Sequence, residues 1–178
     1  MSLVGEIAPE FSMKAVDGQS LDAVVEPKRY AGRWLVLFFY PADFTFVCPT
    51  ELRAVSARRN EVLERDADVA FVSTDSVYSH KAWMDAPADM GGVGHLTFPM
   101  ASDPTHSVSR AFGVLDEASG QSQRATVIID PEGRVRYSLV HDDRIGRSVD
   151  ELLRVLDALR TGERCPVDWR RGEAVLSA

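Results

Sequence analysis

Apolar residues gather into four short runs: "WLVLFFY" (34–40), "DVAFVST" (68–74), "RATVIID" (124–130) and "RVRYSLV" (134–140). β-Branched and aromatic residues dominate them, which predicts strands. The first three are almost continuously apolar, as expected of strands covered on both faces. Elsewhere the apolar spacing lengthens. "CPTELRAVSARRNEVLERD" sets Leu52, Val55, Val62 and Leu63 near one face of a helix, with arginines and glutamates opposite. "SVYSHKAWMDAP" and "RSVDELLRVLDALRTG" read likewise; the second has an N-cap at Ser148, acids in its first turn and a stop at Gly162. "DPEG" (130–133) is a tight turn joining two strands into a hairpin. Helices separating buried strands, then a hairpin and a helix, predict a three-layer α/β sandwich. Beyond Gly162 the chain turns polar and irregular, "ERCPVDWRRGEAVLSA", and reads as an arm over 163–178.

The bulk numbers narrow the classes. A chain of 178 residues has the size of one domain, here 1–178, and 45 % hydrophobic with 26 % charged residues is ordinary for a globular protein. The net charge of −7 argues against a nucleic-acid partner. The longest apolar run falls short of the roughly 18 residues of a membrane span, so no membrane partner is expected. The N-terminal stretch "MSLVGEIAPEF" lacks the basic region and apolar core of a secretory signal, so the expected location is cytoplasmic. Cys48 and Cys165, 117 residues apart, make neither a disulfide framework nor the CxxC of a zinc ribbon or dithiol oxidoreductase. The histidines His80, His95, His106 and His141 show no ligand spacing, and no metal or other cofactor is expected.

Chemistry concentrates in "FFYPADFTFVCPTEL" (38–52). Pro41 ends the strand, because proline cannot donate to a sheet ladder. Pro49, a favoured first helical residue, puts Cys48 at or beside the helix N-cap, where free N–H groups and the helix dipole favour a thiolate. The alternative is a small buried hydrophobe. Thr45, folded back by the same loop, tips the reading toward chemistry.

That segment resembles the peroxiredoxin signature P-x-x-x-T-x-x-C, in particular the two-cysteine subgroup that includes the alkyl hydroperoxide reductase C component. "STDSVYSHKAW", "GGVG" before "FPMASDP", "FGVLDE", "RATVIIDPEG", "GRSVDELLRVLDAL" and "CPVDW" continue the similarity in order. The resemblance implies a thioredoxin-like sandwich with a central mixed sheet and a C-terminal arm. It also implies a thiol-dependent peroxidase acting on hydrogen peroxide and organic hydroperoxides. In it Cys48 matches the peroxidatic cysteine, which attacks one peroxide oxygen and becomes a sulfenic acid. Thr45 matches the hydroxyl that positions the peroxide, Pro41 the shield against solvent, and Arg124 the guanidinium beside sulfur and peroxide. Glu51 and Arg147 match the partners that hold that arginine. A dipole-favoured carboxylate for Glu51 and a surface ion pair for Arg147 are the plain alternatives.

Magnitudes rank these groups. A thiol of pKa about 8.5 is a few per cent ionised at neutral pH, so full deprotonation gains only about 30-fold. An oriented donor in a dry site contributes about 10²- to 10³-fold. The donors must therefore act mainly on the transition state.

Cys165 lies in the polar arm and matches the resolving cysteine, which condenses with the sulfenic acid into a disulfide, between chains in typical members. Bridged Cα atoms lie within about 7 Å, so the first turn after Cys48 is expected to unwind in each cycle. Only 13 residues follow Cys165, fewer than in many members, and the Tyr-Phe pair of the eukaryotic tail is absent; resistance to over-oxidation is the resulting expectation. "GGVG" (91–94) does not follow a strand directly or open a clear helix, so a flexible loop near the first turn is expected rather than a phosphate cradle. Trp83 and Trp169 read as packing residues, Trp169 pinning the arm. Phe44 and Phe46 read as core or as subunit contacts. The resemblance further implies homodimers, commonly assembled into decamers, and a protein reductant: thioredoxin, a flavoprotein or a dithiol adaptor. A peroxide sensor or chaperone-like oligomer and a thioredoxin-like dithiol exchanger are the competing functions; steady-state peroxide turnover separates the first, and the missing CxxC weighs against the second.

Overall fold

A computed structural model describes residues 2–176; the last two residues of the predicted arm lie outside that range. A seven-stranded mixed sheet runs through the molecule. Its strands are β1 (Met13–Asp17), β2 (Ser20–Val25), β3 (Trp34–Phe39), β4 (Ala67–Ser73), β5 (Met100–Ser102), β8 (Arg124–Ile129) and β9 (Val135–His141). A separate small hairpin pairs β6 (Leu115–Asp116) with β7 (Gln121–Ser122). The order across the sheet is β2-β1-β5-β4-β3-β8-β9, with β3, β4 and β5 parallel and the other pairs antiparallel. The helices are α1 (Cys48–Ala57), α2 (Arg59–Leu63), α3 (Val77–Asp85), α4 (Ser107–Ala111) and α5 (Val149–Thr161).

The four predicted strands and the α1, α3 and α5 regions all form. Continuous apolarity in β3 has the expected cause, since all six of its residues are buried. Their side chains alternate between two cores. Val36 and Phe38 join Leu52, Val55, Trp83, Leu152 and Leu156 on the α1/α3/α5 side. Leu35, Leu37 and Phe39 join Phe11, Tyr30, Val108 and Phe112 on the other. A fully buried leucine or phenylalanine contributes about 1.5–3 kcal/mol relative to exposure, so this strand with the two cores fixes the scaffold on which the Cys48 loop is hung. Helix α5 begins as the sequence predicts: Ser148 Oγ accepts from the Glu151 N–H, and Gly162 closes the helix at φ 70°.

Two expectations need correction. The single helix read over 48–66 breaks at Arg58 (φ −103°, ψ 24°), which leaves α1 and α2 as separate pieces. Arg58 turns its guanidinium onto both carboxylate oxygens of Glu61, at 2.7 and 2.8 Å, and onto Asp150 of α5. Beyond the break Val62 is buried, while Leu63 is only half-buried. The GGVG segment, expected as a free loop, is tied down. Trp83 Nε1 donates to the Gly91 carbonyl (2.8 Å), and Arg53 in the second turn of α1 donates to the carbonyls of Gly92 and Val93. A Cβ at Gly92 would lie 1.8 Å from the Ala86 carbonyl oxygen, so glycine is required there.

Among the described residues no helix is long and apolar enough to cross a membrane.

Candidate active site

After β3 the buried Tyr40 and Pro41 lead out of the sheet, and residues 42–47 bring the chain to α1. Cys48 is the first helical residue, with Pro49 at the second position rather than the first. This placement changes the electrostatics expected at sulfur. Pro49 has no N–H, the Thr50 N–H is engaged by the Val47 carbonyl at 3.1 Å, and no side chain caps the helix. The donors within hydrogen-bonding distance of Sγ, among the described residues, are Nη1 and Nη2 of Arg124, both at 3.7 Å. Cys48 is 1 % exposed.

Strand alternation explains why Arg124 is there. Arg124, Thr126 and Ile128 point to the α1/α5 face of β8, while Ala125, Val127 and Ile129 enter the opposite core. An arginine in this row is buried beneath the helix start. It is held on two sides: Nη1 donates to Glu51 Oε2 (2.5 Å), and Nε and Nη2 donate to the Asp143 carbonyl at 3.2 and 2.8 Å. Glu51, one turn after Cys48, also takes Arg147. The Arg147 backbone N–H and Nε donate to Oε1 at 2.6 and 3.0 Å, and Nη2 donates to Oε2 at 2.9 Å. Arg147 Nη1 donates to the Ala125 carbonyl and Thr126 Oγ1, with its guanidinium carbon 3.3 Å from the centre of the Phe38 ring.

Burial by itself would raise the pKa of Glu51, but the hydrogen bonds and charge of Arg147, with the charge of Arg124, outweigh it and hold the carboxyl below the usual carboxylate range. Burial pulls the Arg147 pKa downward against its bonds to Glu51. One carboxylate between two guanidiniums leaves a surplus positive charge facing Sγ. Among the described residues, the hydrogen-bond partners of Arg124 Nη2 are Cys48 Sγ and the Asp143 carbonyl.

The cluster thus unites Cys48, Glu51, Arg124 and Arg147; Arg147 is buried, so its ion pair is not a surface one, while Glu51 also stands in the first turn of α1. Pro41 is buried on the loop that leads in. Thr45 is half-buried and its hydroxyl donates to the Ala42 carbonyl at 2.9 Å, not to Sγ. The Asp143 carbonyl escapes sequence reasoning because a main-chain oxygen has no residue-type signal. Phe44 and Phe46, read as core or contact residues, are 51 % and 94 % exposed and belong to neither core. Cys165 lies outside the cluster. Its half-buried Sγ sits 3.6 Å from Thr161 Oγ1 and 3.9 Å from the Ala158 carbonyl, in a groove of 480 Å³ lined by Tyr137, Arg154, Leu159 and Pro166 among others. Both cysteines are free thiols. Trp169 does pin the arm: it is 4 % exposed, donates from Nε1 to the Glu173 carbonyl and accepts at its own carbonyl from Arg154.

The chain matches the AhpC/TSA family over residues 4–138. It is 48 % identical to the thioredoxin peroxidase of Fasciola hepatica, over 92 % of this chain and 86 % of that one. This chain is a peroxiredoxin. Among solved structures it resembles the reduced Plasmodium vivax 2-Cys peroxiredoxin (TM-score 0.94, 38 % identity, 98 % and 93 % of the two chains covered). It also resembles Enterococcus faecalis AhpC (TM-score 0.85, 39 % identity, 93 % and 100 % covered). The fold is the thioredoxin-like α/β sandwich, and the peroxiredoxin reduces peroxides at the expense of a thiol reductant. Its likeness is to the typical two-cysteine members.

Proposed function

We propose that Cys48 is the sulfur that meets the peroxide. The observation that carries this is the pair of Arg124 guanidinium nitrogens at 3.7 Å from Sγ, locked in place by Glu51 and the Asp143 carbonyl. The Cys48 thiolate attacks the nearer peroxide oxygen. The O–O bond breaks, the far oxygen takes the peroxide's proton and leaves as water or alcohol, and sulfur keeps the near oxygen as a sulfenate, which takes back the proton the thiol released to become sulfenic acid. Arg124 donates to the oxygens as charge moves from sulfur to the leaving group. Thr45 has its hydroxyl proton engaged by Ala42, so its oxygen is free to accept the peroxide O–H. Pro41 shields the sulfur from water. Glu51 and Arg147 position Arg124. This preorganisation, at about 10²- to 10³-fold for a well-placed donor, outweighs what ionising the thiol supplies.

Resolution falls to Cys165. Its thiol attacks the sulfenic sulfur, the disulfide forms and water leaves. A sulfur 1 % exposed at the start of a helix cannot meet a second cysteine without local opening, so the first turn of α1 unwinds in each cycle. Residues 1–178 act as one domain in which the arm from 163 delivers Cys165 to the partner subunit of a homodimer, itself a unit of a decamer. A dithiol protein then reduces the disulfide; the name of the Fasciola relative favours thioredoxin over a flavoprotein or a small adaptor. The expected location is the cytoplasm.

One equivalent of hydrogen peroxide followed by a non-reducing gel tests the scheme. Wild type shifts to a covalent dimer. Cys165→Ser stays monomeric but labels with dimedone at Cys48, and Cys48→Ser does neither. Sustained peroxide consumption by Cys48→Ser would overturn the assignment.

A further inference from the structure

A second polar cluster sits at the base of the catalytic loop, and the steps described above assign it no part. Asp43 is 7 % exposed, and Tyr40 and His80 are fully buried. The Tyr40 hydroxyl donates to Asp43 Oδ1 (2.8 Å) and Ser79 Oγ donates to Oδ2 (2.7 Å). His80 Nδ1 lies 2.9 Å from the same Oδ2, and its Nε2 faces the Ala101 carbonyl at 3.3 Å. The Asp43 backbone N–H donates to Asp75 Oδ2 (3.0 Å), an oxygen also bonded by Ser73 Oγ at 2.8 Å. Burial, and then the Asp43 charge, raise the Tyr40 pKa well above its ordinary value, so this phenol stays a donor.

A buried carboxylate with donors on every side is a rigid fixture. What it fixes is legible in the neighbouring residues. Pro41 is two positions before Asp43. Ala42, immediately before it, offers the carbonyl that receives the Thr45 hydroxyl. Phe44, immediately after, is held at φ 55°, a left-handed conformation that a bulky side chain adopts only where its surroundings impose it. The loop is therefore clamped at Asp43, forced through a strained residue, and tied back at Thr45 onto the clamped segment.

We propose that Asp43 is a positioning residue for the peroxide step: held by Tyr40, Ser79, His80 and Asp75, it sets the Ala42 carbonyl and thereby the direction in which Thr45 presents its hydroxyl oxygen. The proposal rests on the roles given above to Cys48 and Thr45. It differs from a simple core brace in one measurable respect. A brace that loosens changes every reaction of Cys48, whereas misdirection of Thr45 harms only a reaction that uses its hydroxyl.

The test compares two reactions of Cys48 in a Cys165→Ser background: oxidation by hydrogen peroxide, and alkylation by iodoacetamide, which needs the thiolate but no aimed hydroxyl. Asp43→Asn replaces one acceptor by an N–H donor that faces donors. It lowers the peroxide rate constant by about 10- to 100-fold and leaves alkylation within about twofold. Thr45→Val alone does the same, and adding Asp43→Asn to it produces no further loss, because both act through one hydroxyl. Tyr40→Phe, which deletes a single donor without changing shape, lowers the peroxide rate about threefold; it decides the matter if Asp43→Asn does not fold. Parallel loss of both reactions, multiplicative effects of Asp43→Asn and Thr45→Val, or an unchanged peroxide rate would each overturn the proposal. Dimedone labelling of Cys48→Ser at another residue would instead remove the Cys48 assignment on which it stands, and the proposal with it.

Discussion

The two sulfurs of this chain occupy opposite kinds of surroundings. Cys48 is 1 % exposed and faces two guanidinium nitrogens whose positions are fixed by a carboxylate and a carbonyl, the carboxylate being bound in turn by a second arginine. Cys165 is half-buried and touches a threonine hydroxyl and carbonyl oxygens, with no cation among its hydrogen-bond partners in the described residues. One thiol is built into an electropositive, preorganised pocket; the other rests on the last turns of α5, in an arm pinned by a tryptophan. In the proposed scheme the first arrangement serves the reaction with peroxide, and the second holds the thiol that resolves the sulfenic acid. The difference lies in the partners each sulfur has, since both are plain cysteines by sequence.

The sharpest way to break this comparison is to exchange the sulfurs for oxygen. Cys48→Ser is expected to abolish peroxide consumption, while Cys165→Ser leaves the first oxidation at its wild-type rate and stalls turnover with thioredoxin. Stopped-flow oxidation and steady-state assays read the two outcomes separately; a comparable loss of the first oxidation in both variants would erase the distinction. Next comes the cation. Arg124→Leu removes both donors from Sγ and leaves Glu51 with one partner fewer. The peroxide rate constant is expected to fall about 10²- to 10³-fold, with alkylation of Cys165 unchanged.

Glu51→Gln sharpens the comparison by reaching the cluster without touching sulfur. Two buried guanidiniums then share a neutral partner, and breaking a buried ion pair of this sort costs about 3–5 kcal/mol. The pH dependence carries the sign. The Glu51 carboxyl has a folded pKa below its unfolded one, so the native state gains stability above the unfolded value, about 4.3, and loses that gain as pH falls through the folded value. Urea unfolding of wild type from pH 6 to pH 3 should therefore show a stability loss that Glu51→Gln, already less stable at pH 6, shows to a smaller degree. Equal slopes in both proteins would show that Glu51 is not the group being titrated.

Much of this pocket is legible in the amino-acid sequence. The strand of continuous apolar residues, the helix-opening cysteine and the P-x-x-x-T-x-x-C spacing together point to it, because periodicity and proline act locally. Arg124 is legible as an arginine opening an apolar strand, although only the two-residue alternation of β8 shows that it shares a face with α1. The break at Arg58 is hidden, since no glycine or proline marks it and the ion pairs that Arg58 makes there, to Glu61 and Asp150, have no spacing signal. Residues 13–25 escape detection as strands: β1 and β2 carry the mixed patterns of a sheet edge, with β2 exposed or half-exposed at all but Val25. The Asp43 cluster is equally hidden. Its members come from the residue after β3, the Cys48 loop, the end of β4 with the turn that follows it, and α3, and no spacing along the chain links them.

The smallest expected effect concerns the arm. Trp169 is buried at 4 %, and its carbonyl and indole N–H tie residues 154, 169 and 173 together. Replacing a buried tryptophan by alanine costs about 3–5 kcal/mol where the residue supports the global fold. Here it supports a segment that follows the last helix, so the loss should appear as local release rather than as global unfolding. Trp169→Ala is expected to raise the rate of Cys165 alkylation several-fold while the rate of Cys48 oxidation stays at its wild-type value. The two sulfurs would then respond independently to a change near one of them, as their separate partners require. A fall in Cys48 reactivity on releasing the arm would mean that the arm contributes to the pocket, and the contrast between two separately partnered sulfurs would no longer hold.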